Sequence, residues 1–155
     1  RKVRRADDPS RFEDALALVS ELAQVEDIPT AALQNAIGIA ARHGAETSPI
    51  EDLGQLFAAL GARGVEESQM VLDLGLARGI SYYTGVIFDI YPDSPGGSSL
   101  GGGGRYDGLV KALGGPDVPA LGFAYTLEHV VAALAQEDAR DITGAEDKRA
   151  TPSRT

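Results

Sequence analysis

Five side chains carry most of the chemistry in this sequence: Arg78, Tyr82, Tyr83, Arg105 and Tyr106, set among glycines in the runs 73–89 and 101–108. A guanidinium offers a planar fork for carboxylate or phosphoryl oxygens. A phenol joins an apolar ring to a hydroxyl that seeks a partner. Together among glycines they suit recognition of a small polar ligand that bears a carboxylate. Each also has a plainer explanation. Arg78 could be a surface arginine paired with Asp73 or Asp89, and the tyrosines half-buried strand residues. Neighbours in a strand point to opposite faces, so only one of Tyr82 and Tyr83 is expected to enter a pocket. Asp107 would favour the dipole in the first turn of a helix, and Tyr106 would sit on that helix's apolar face with its hydroxyl reaching a polar site.

The glycine block does not match a nucleotide loop. A Walker loop needs Gly-Lys-Ser/Thr before its helix, whereas Gly104 is followed by Arg105 and Tyr106. No frame across Gly101 to Gly104 gives the dinucleotide fingerprint either. Two readings remain: a place where a ligand or a second strand approaches the backbone closely, or a flexible hairpin loop. His43 and His129 are the only histidines and lie far apart, and there is no cysteine, so no metal centre is expected. His43 fits the C-terminus of a helix. No carboxylate pair is spaced for acid/base work, and no Ser/His/Asp set is visible. The residues alone describe a small-ligand site without catalytic machinery.

Helices and then strands must position these groups. Ser10 with Glu13 reads as a capping box, followed at helical spacing by Phe12, Leu16, Val19, Leu22 and Ala23. Pro29 and Thr30 open a second helix through Leu33, Ala36, Ile37 and Ala40, with Gly44 as its stop. Ser48, Pro49 and Glu51 form a cap, a first-turn proline and an acid at N3, and Ile50, Leu53, Leu56, Phe57 and Leu60 line one face. After Glu67 the pattern shifts to β runs at 70–76 and 85–91. A turn at 92–97 should close a hairpin onto 98–100. A short helix is expected over 105–113, ended by Gly114, then a buried strand at 119–124 and a helix over 126–136. From Glu137 the composition turns polar and charged, which reads as a poorly ordered tail. The fold class is therefore α/β (α+β): helices followed by a mostly antiparallel sheet with helices interleaved.

A chain of 155 residues is one domain or part of one, and its formal charge of −9 argues against a phosphate-binding surface. The basic cluster Arg1, Lys2, Arg4, Arg5 lies at a terminus, where a solvated end explains it. No apolar stretch approaches the roughly 20 residues that span a bilayer, and the N-terminus has no apolar signal-peptide core. A soluble, cytoplasmic domain without membrane partners is the expectation.

The segments 78–85, 101–108 and 122–129 closely resemble the histidyl-tRNA synthetase family. The first two look like its paired histidine signatures, written there RGLDYYTG and GGRYDGL. The third resembles its GFAxGLER segment, the motif 3 helix of class II synthetases. The resemblance covers about 70–134, with 1–66 looking like the family's helical connecting segment, 67–137 like the C-terminal part of its core, and 138–155 left as tail. It implies Arg78 beside the ligand carboxylate or the reacting phosphate, the one residue with a catalytic role if this is an enzyme. It implies Tyr83 and Tyr106 at the imidazole end of a bound L-histidine, with Tyr82 and Arg105 adjoining. Gly103 and Gly104 would wall that pocket, and Gly122 would let backbone approach the ligand.

The sequence also departs from the family pattern. The motif 3 arginine that contacts ATP is replaced by His129, and Thr126 stands where a glycine is usual. A neutral imidazole is no substitute for a permanently charged bidentate fork. Ser81 replaces the aspartate common in true synthetases, so 80–85 look more like the paralogue that regulates ATP phosphoribosyltransferase. The expectation from the polar tail after motif 3 is that no anticodon-binding domain follows, and motifs 1 and 2 would lie before Arg1. The resemblance thus implies a histidine-binding regulatory subunit with no cofactor, working with the catalytic subunit of ATP phosphoribosyltransferase in a homo- or hetero-oligomer. The alternatives are a histidyl-tRNA synthetase using ATP with magnesium and tRNA, or a paralogue that binds another ligand.

Overall fold

The computed structural model describes residues 9–77, 79, 82–93 and 97–149, with side chains placed outside 9–11, 138 and 140–149. Arg78 and Ser81 lie outside the described residues. The chain divides into two compact units, Arg1–Ala77 and Arg78–Thr155.

The first unit is helical: α1 (Pro9–Leu22), β1 (Glu26–Asp27), α2 (Pro29–Arg42), α3 (Ser48–Gly61) and β2 (Leu72–Asp73). Proline sits in the first turn of α2 and α3, where its missing N–H costs nothing. The starts differ slightly from expectation. Helix α1 begins at Pro9, so Ser10 lies inside it rather than capping it. Thr47, not Ser48, is the N-cap of α3, and its hydroxyl bonds Glu51 at 2.8 Å. Gly44 closes α2 at φ 63°, a conformation that penalises any Cβ.

Val25, Ala32, Ile39 and Leu72 form one buried cluster, and Ala36, Ala40 and Ile50 a second. Small residues on α2 (Ala32, Ala36 and Ala40) let its neighbours approach, and Leu22, Leu33, Leu53 and Phe57 pack around the buried clusters. Helix α1 enters through Leu18 and Leu22, leaving the expected Phe12, Leu16 and Val19 exposed. The expected strand at 70–76 shrinks to β2, which pairs antiparallel with β1 and inserts Leu72 between the helices. The helical unit therefore continues past position 66.

The second unit holds β3 (Ile87–Ile90), β4 (Gly101–Arg105), α4 (Leu109–Ala112), β5 (Leu121–Tyr125) and α5 (Leu127–Arg149). Its sheet is antiparallel throughout, in the order β3-β4-β5. The glycine block is thus the central strand of the sheet and not a loop. Helix 105–113 is corrected to α4 alone: Arg105 ends β4, and Tyr106 and Asp107 lie in the turn between. Gly114 ends α4 at φ 86°, as its type requires. Strand β5 is an edge rather than a buried strand, with Leu121, Phe123 and Tyr125 exposed. Helix α5 runs on to Arg149, beyond the expected stop at Gln136, through a segment that contains no proline but does include Gly144. Among the described residues no helix is long and apolar enough to cross a membrane.

Candidate functional site: a tyrosine cluster on a glycine floor

Side chains alternate between the faces of a sheet, and the register sorts this one cleanly. Ile87, Gly104 and Gly122 lie in one row, and Asp89, Gly102 and Ala124 in the next row of the same face. Phe88, Gly103 and Phe123 belong to the opposite face. One face is therefore a floor almost without side chains, bordered by Ile87 and Asp89.

Three phenol rings gather at one end of that floor. The Tyr82 and Tyr83 ring centroids are 4.7 Å apart, Tyr82 and Tyr106 5.5 Å edge to face, and Tyr83 and Tyr106 6.3 Å. Strand alternation does not separate Tyr82 from Tyr83, whose rings are in contact. They precede β3 in a turn, where strand alternation does not apply.

The glycines make room for these rings. A Cβ on Gly104 would stand 2.8 Å from the Tyr83 ring and 2.7 Å from the Val86 carbonyl. A Cβ on Gly122 would collide with the Tyr106 hydroxyl. Both contacts fall well inside van der Waals distance: at Gly104 the added atom would also meet backbone, and at Gly122 the Tyr106 hydroxyl would have to move. Gly103 is placed differently: its missing side chain faces the β5 backbone, with Phe123 Cα 2.7 Å from an added Cβ.

Backbone bonds hold the tyrosine turn against the end of β4. The Thr84 N–H donates to the Arg105 carbonyl at 2.9 Å, Arg105 N–H to Val86 at 3.0 Å, and Tyr106 N–H to Ala120 at 2.8 Å. The Thr84 hydroxyl accepts the Asp107 N–H at 3.0 Å. Arg105 Nε reaches both Asp107 oxygens at 2.9 Å, and Asp107 also accepts the Ala120 N–H at 3.3 Å. The hydrogen bond from Arg105 holds the Asp107 carboxyl below its ordinary range, with a smaller contribution from the Ala120 amide. In return, the Asp107 carboxylate raises the Arg105 guanidinium further. Asp107 is thus a brace for the turn and not a helix-dipole residue. Thr84 and Asp107 are the functional supports that spacing alone does not reveal; their signal is adjacency to Tyr83 and Tyr106 in the sequence.

His129 lies at the other end of β4. It is exposed on the first turn of α5, with Nδ1 2.8 Å from the Ser99 carbonyl. It lines a cavity of about 200 Å³ with Pro92, Ser98, Leu100 and Gln136. His43 caps the C-terminus of α2, as expected, and its Nε2 meets Glu21 at 2.9 Å. That bond, with one from Arg42, keeps the Glu21 carboxyl low. Among the described residues no cluster of His, Cys, Asp or Glu could hold a metal. The arrangement sets three phenol rings beside bare strand backbone, with the Tyr83 ring over Gly104 and the Tyr106 hydroxyl over Gly122.

The model of the family described as histidyl-tRNA synthetase matches residues 3–130. The chain belongs to the histidyl-tRNA synthetase family. Among its relatives, the histidine–tRNA ligase of Thermococcus kodakarensis is 37% identical over 79% of this chain and 28% of its own length. The histidine–tRNA ligase of Leifsonia xyli is 50% identical over 57% of the chain and 20% of its own length. The ATP phosphoribosyltransferase regulatory subunit of Dehalococcoides mccartyi is 39% identical over 71% of the chain and 26% of its own length. The chain thus spans between about a fifth and somewhat over a quarter of the length of these relatives. Both kinds of family member, ligase and regulatory subunit, lie at similar distance from it.

Proposed function

We propose that this chain is the histidine-binding part of a synthetase-like regulatory subunit of ATP phosphoribosyltransferase, controlling the first step of histidine biosynthesis in the cytoplasm. L-histidine lies on the glycine floor with its imidazole against Tyr83 and Tyr106 and its carboxylate toward Arg78. Its partner is the catalytic subunit of that transferase, within an oligomer. The protein acts by binding and needs no cofactor: histidine favours one arrangement of the assembly through its differential affinity for two states.

The observation that carries the regulatory reading is His129. At the position of the family's ATP-contacting arginine, this chain has an imidazole whose Nδ1 is engaged with the Ser99 carbonyl. A permanently charged fork for phosphate oxygens is missing from that position. The test is histidine-dependent ATP–pyrophosphate exchange by the full-length protein. The expected result is no detectable exchange, whereas robust exchange would contradict the regulatory reading.

A second reading, histidine–tRNA ligase with ATP, magnesium and tRNA, is supported by relatives of that name such as the Thermococcus protein. On that reading His129→Arg raises an exchange activity that already exists.

A further inference from the structure

A strand of four consecutive glycines has a register problem. Cross-strand side-chain pairs normally lock a sheet, and glycine offers none, so glycine-rich strands slip easily. Glycine also loses the most backbone freedom when ordered. Yet the site depends on that register, because Gly104 must lie under Tyr83 and Gly122 under Tyr106. Something outside the strand must hold it at both ends.

The exit of β4 is held by the Arg105–Asp107 pair and by Thr84. The entry is held by several contacts around Ser99 and Leu100. Leu100 N–H donates to the Ile90 carbonyl at 2.8 Å, continuing the ladder with β3. Thr126 N–H donates to the Leu100 carbonyl at 2.8 Å. The Ser99 hydroxyl lies 3.1 Å from the Gly101 carbonyl. His129 meets the Ser99 carbonyl from the first turn of α5. His129 contributes to this clamp from outside the strand and its lead-in.

We propose that His129 is a positioning residue: it latches the start of the glycine strand to α5 and so fixes the register of the ligand floor. A carbonyl oxygen only accepts, so Nδ1 must be the protonated nitrogen and the neutral ring is held as its Nδ1–H tautomer. The replacement of arginine here is then a gain of a latch as well as the loss of a cation.

The effect of the latch on affinity rests on the histidine-binding reading; the latch itself does not. Two measurements separate them. Nitrogen-15 NMR of the neutral protein should show His129 as the Nδ1–H tautomer, and an Nε2–H tautomer overturns the latch whether or not histidine binds. In calorimetry, His129→Ala should bind L-histidine about 5- to 10-fold more weakly, the worth of one net hydrogen bond. Its Leu100 and Thr126 amides should exchange faster with solvent. His129→Asn, which keeps a donor, should restore a good part of both. Wild-type affinity and unchanged exchange in His129→Ala contradict the proposal. If the unmutated protein binds no histidine, the functional reading fails while the tautomer still decides the latch. If His129→Ala does not fold, the tautomer decides again.

Discussion

At the scale of single residues, the site is defined as much by missing side chains as by those present. Gly104 and Gly122 are fixed by the tyrosine rings above them, so Gly104→Ala should weaken histidine binding at least about tenfold and destabilise by about 1–3 kcal/mol through overpacking. Calorimetry and thermal denaturation of that variant would check both, and wild-type affinity would mean Tyr83 can move away freely. The Asp107 brace makes a separate prediction in pH. Its carboxyl is held below the ordinary value of 3.8 by Arg105 and the Ala120 amide. Below that value the unfolded chain takes up the proton more readily than the folded one, so stability is present above it and lost as pH falls through the folded value. Asp107→Asn should therefore flatten the acid limb of a plot of melting temperature against pH, and parallel curves for the two proteins would refute the brace. The sequence singled out the tyrosines, glycines and Arg105, and the structure brings the three rings together beside Gly104 and Gly122. The brace was hidden because Asp107 has a sufficient local explanation as a helix-start acid, and only the turn geometry shows otherwise. Arg78, on which the carboxylate end of the reading rests, lies outside the described residues.

At the scale of elements, patterns with strong periodicity translated well and glycine did not. Helices α2 and α3 were legible from proline, spacing and the glycine stop at Gly44, because those signals act locally. Strand β4 was not, since glycine has low strand propensity and carries no alternating pattern. What makes it a strand is its neighbours: a Cβ on Gly101 would collide with the Ala124 carbonyl, so β5 can approach only a bare backbone. The spacing of Tyr106, Leu109, Val110 and Leu113 mimicked a longer helix than α4, because helical periodicity persists through a turn that tertiary bonds have claimed. His129 belongs at this scale too. It joins the start of α5 to the lead-in of β4, a link between positions 30 apart in sequence that no local pattern announces.

At the scale of the whole chain, the two units are built differently. Every buried hydrophobic among the described residues, from Val25 to Leu72, lies in the helical unit. In the second unit the buried residues are the strand glycines 102–104, while Leu121, Phe123 and Tyr125 stand exposed. Amide protection follows buried packing, so Ile39 and Ala40 in α2 should exchange slowest and the edge strand β5 fastest among the sheet strands. Equal protection in both units would contradict that division. On the proposed function the ligand would bind in the second unit and order what it touches, which is how a regulator turns occupancy into a shift between states.

The central claim is that the tyrosine cluster on the glycine floor is a histidine pocket. Calorimetric titration of the full-length protein with L-histidine, repeated with Arg78→Ala and Gly122→Ala, tests it most directly. Saturable binding that Arg78→Ala weakens and Gly122→Ala abolishes is the predicted result. No binding by the unmutated protein, or binding indifferent to both substitutions, would contradict it.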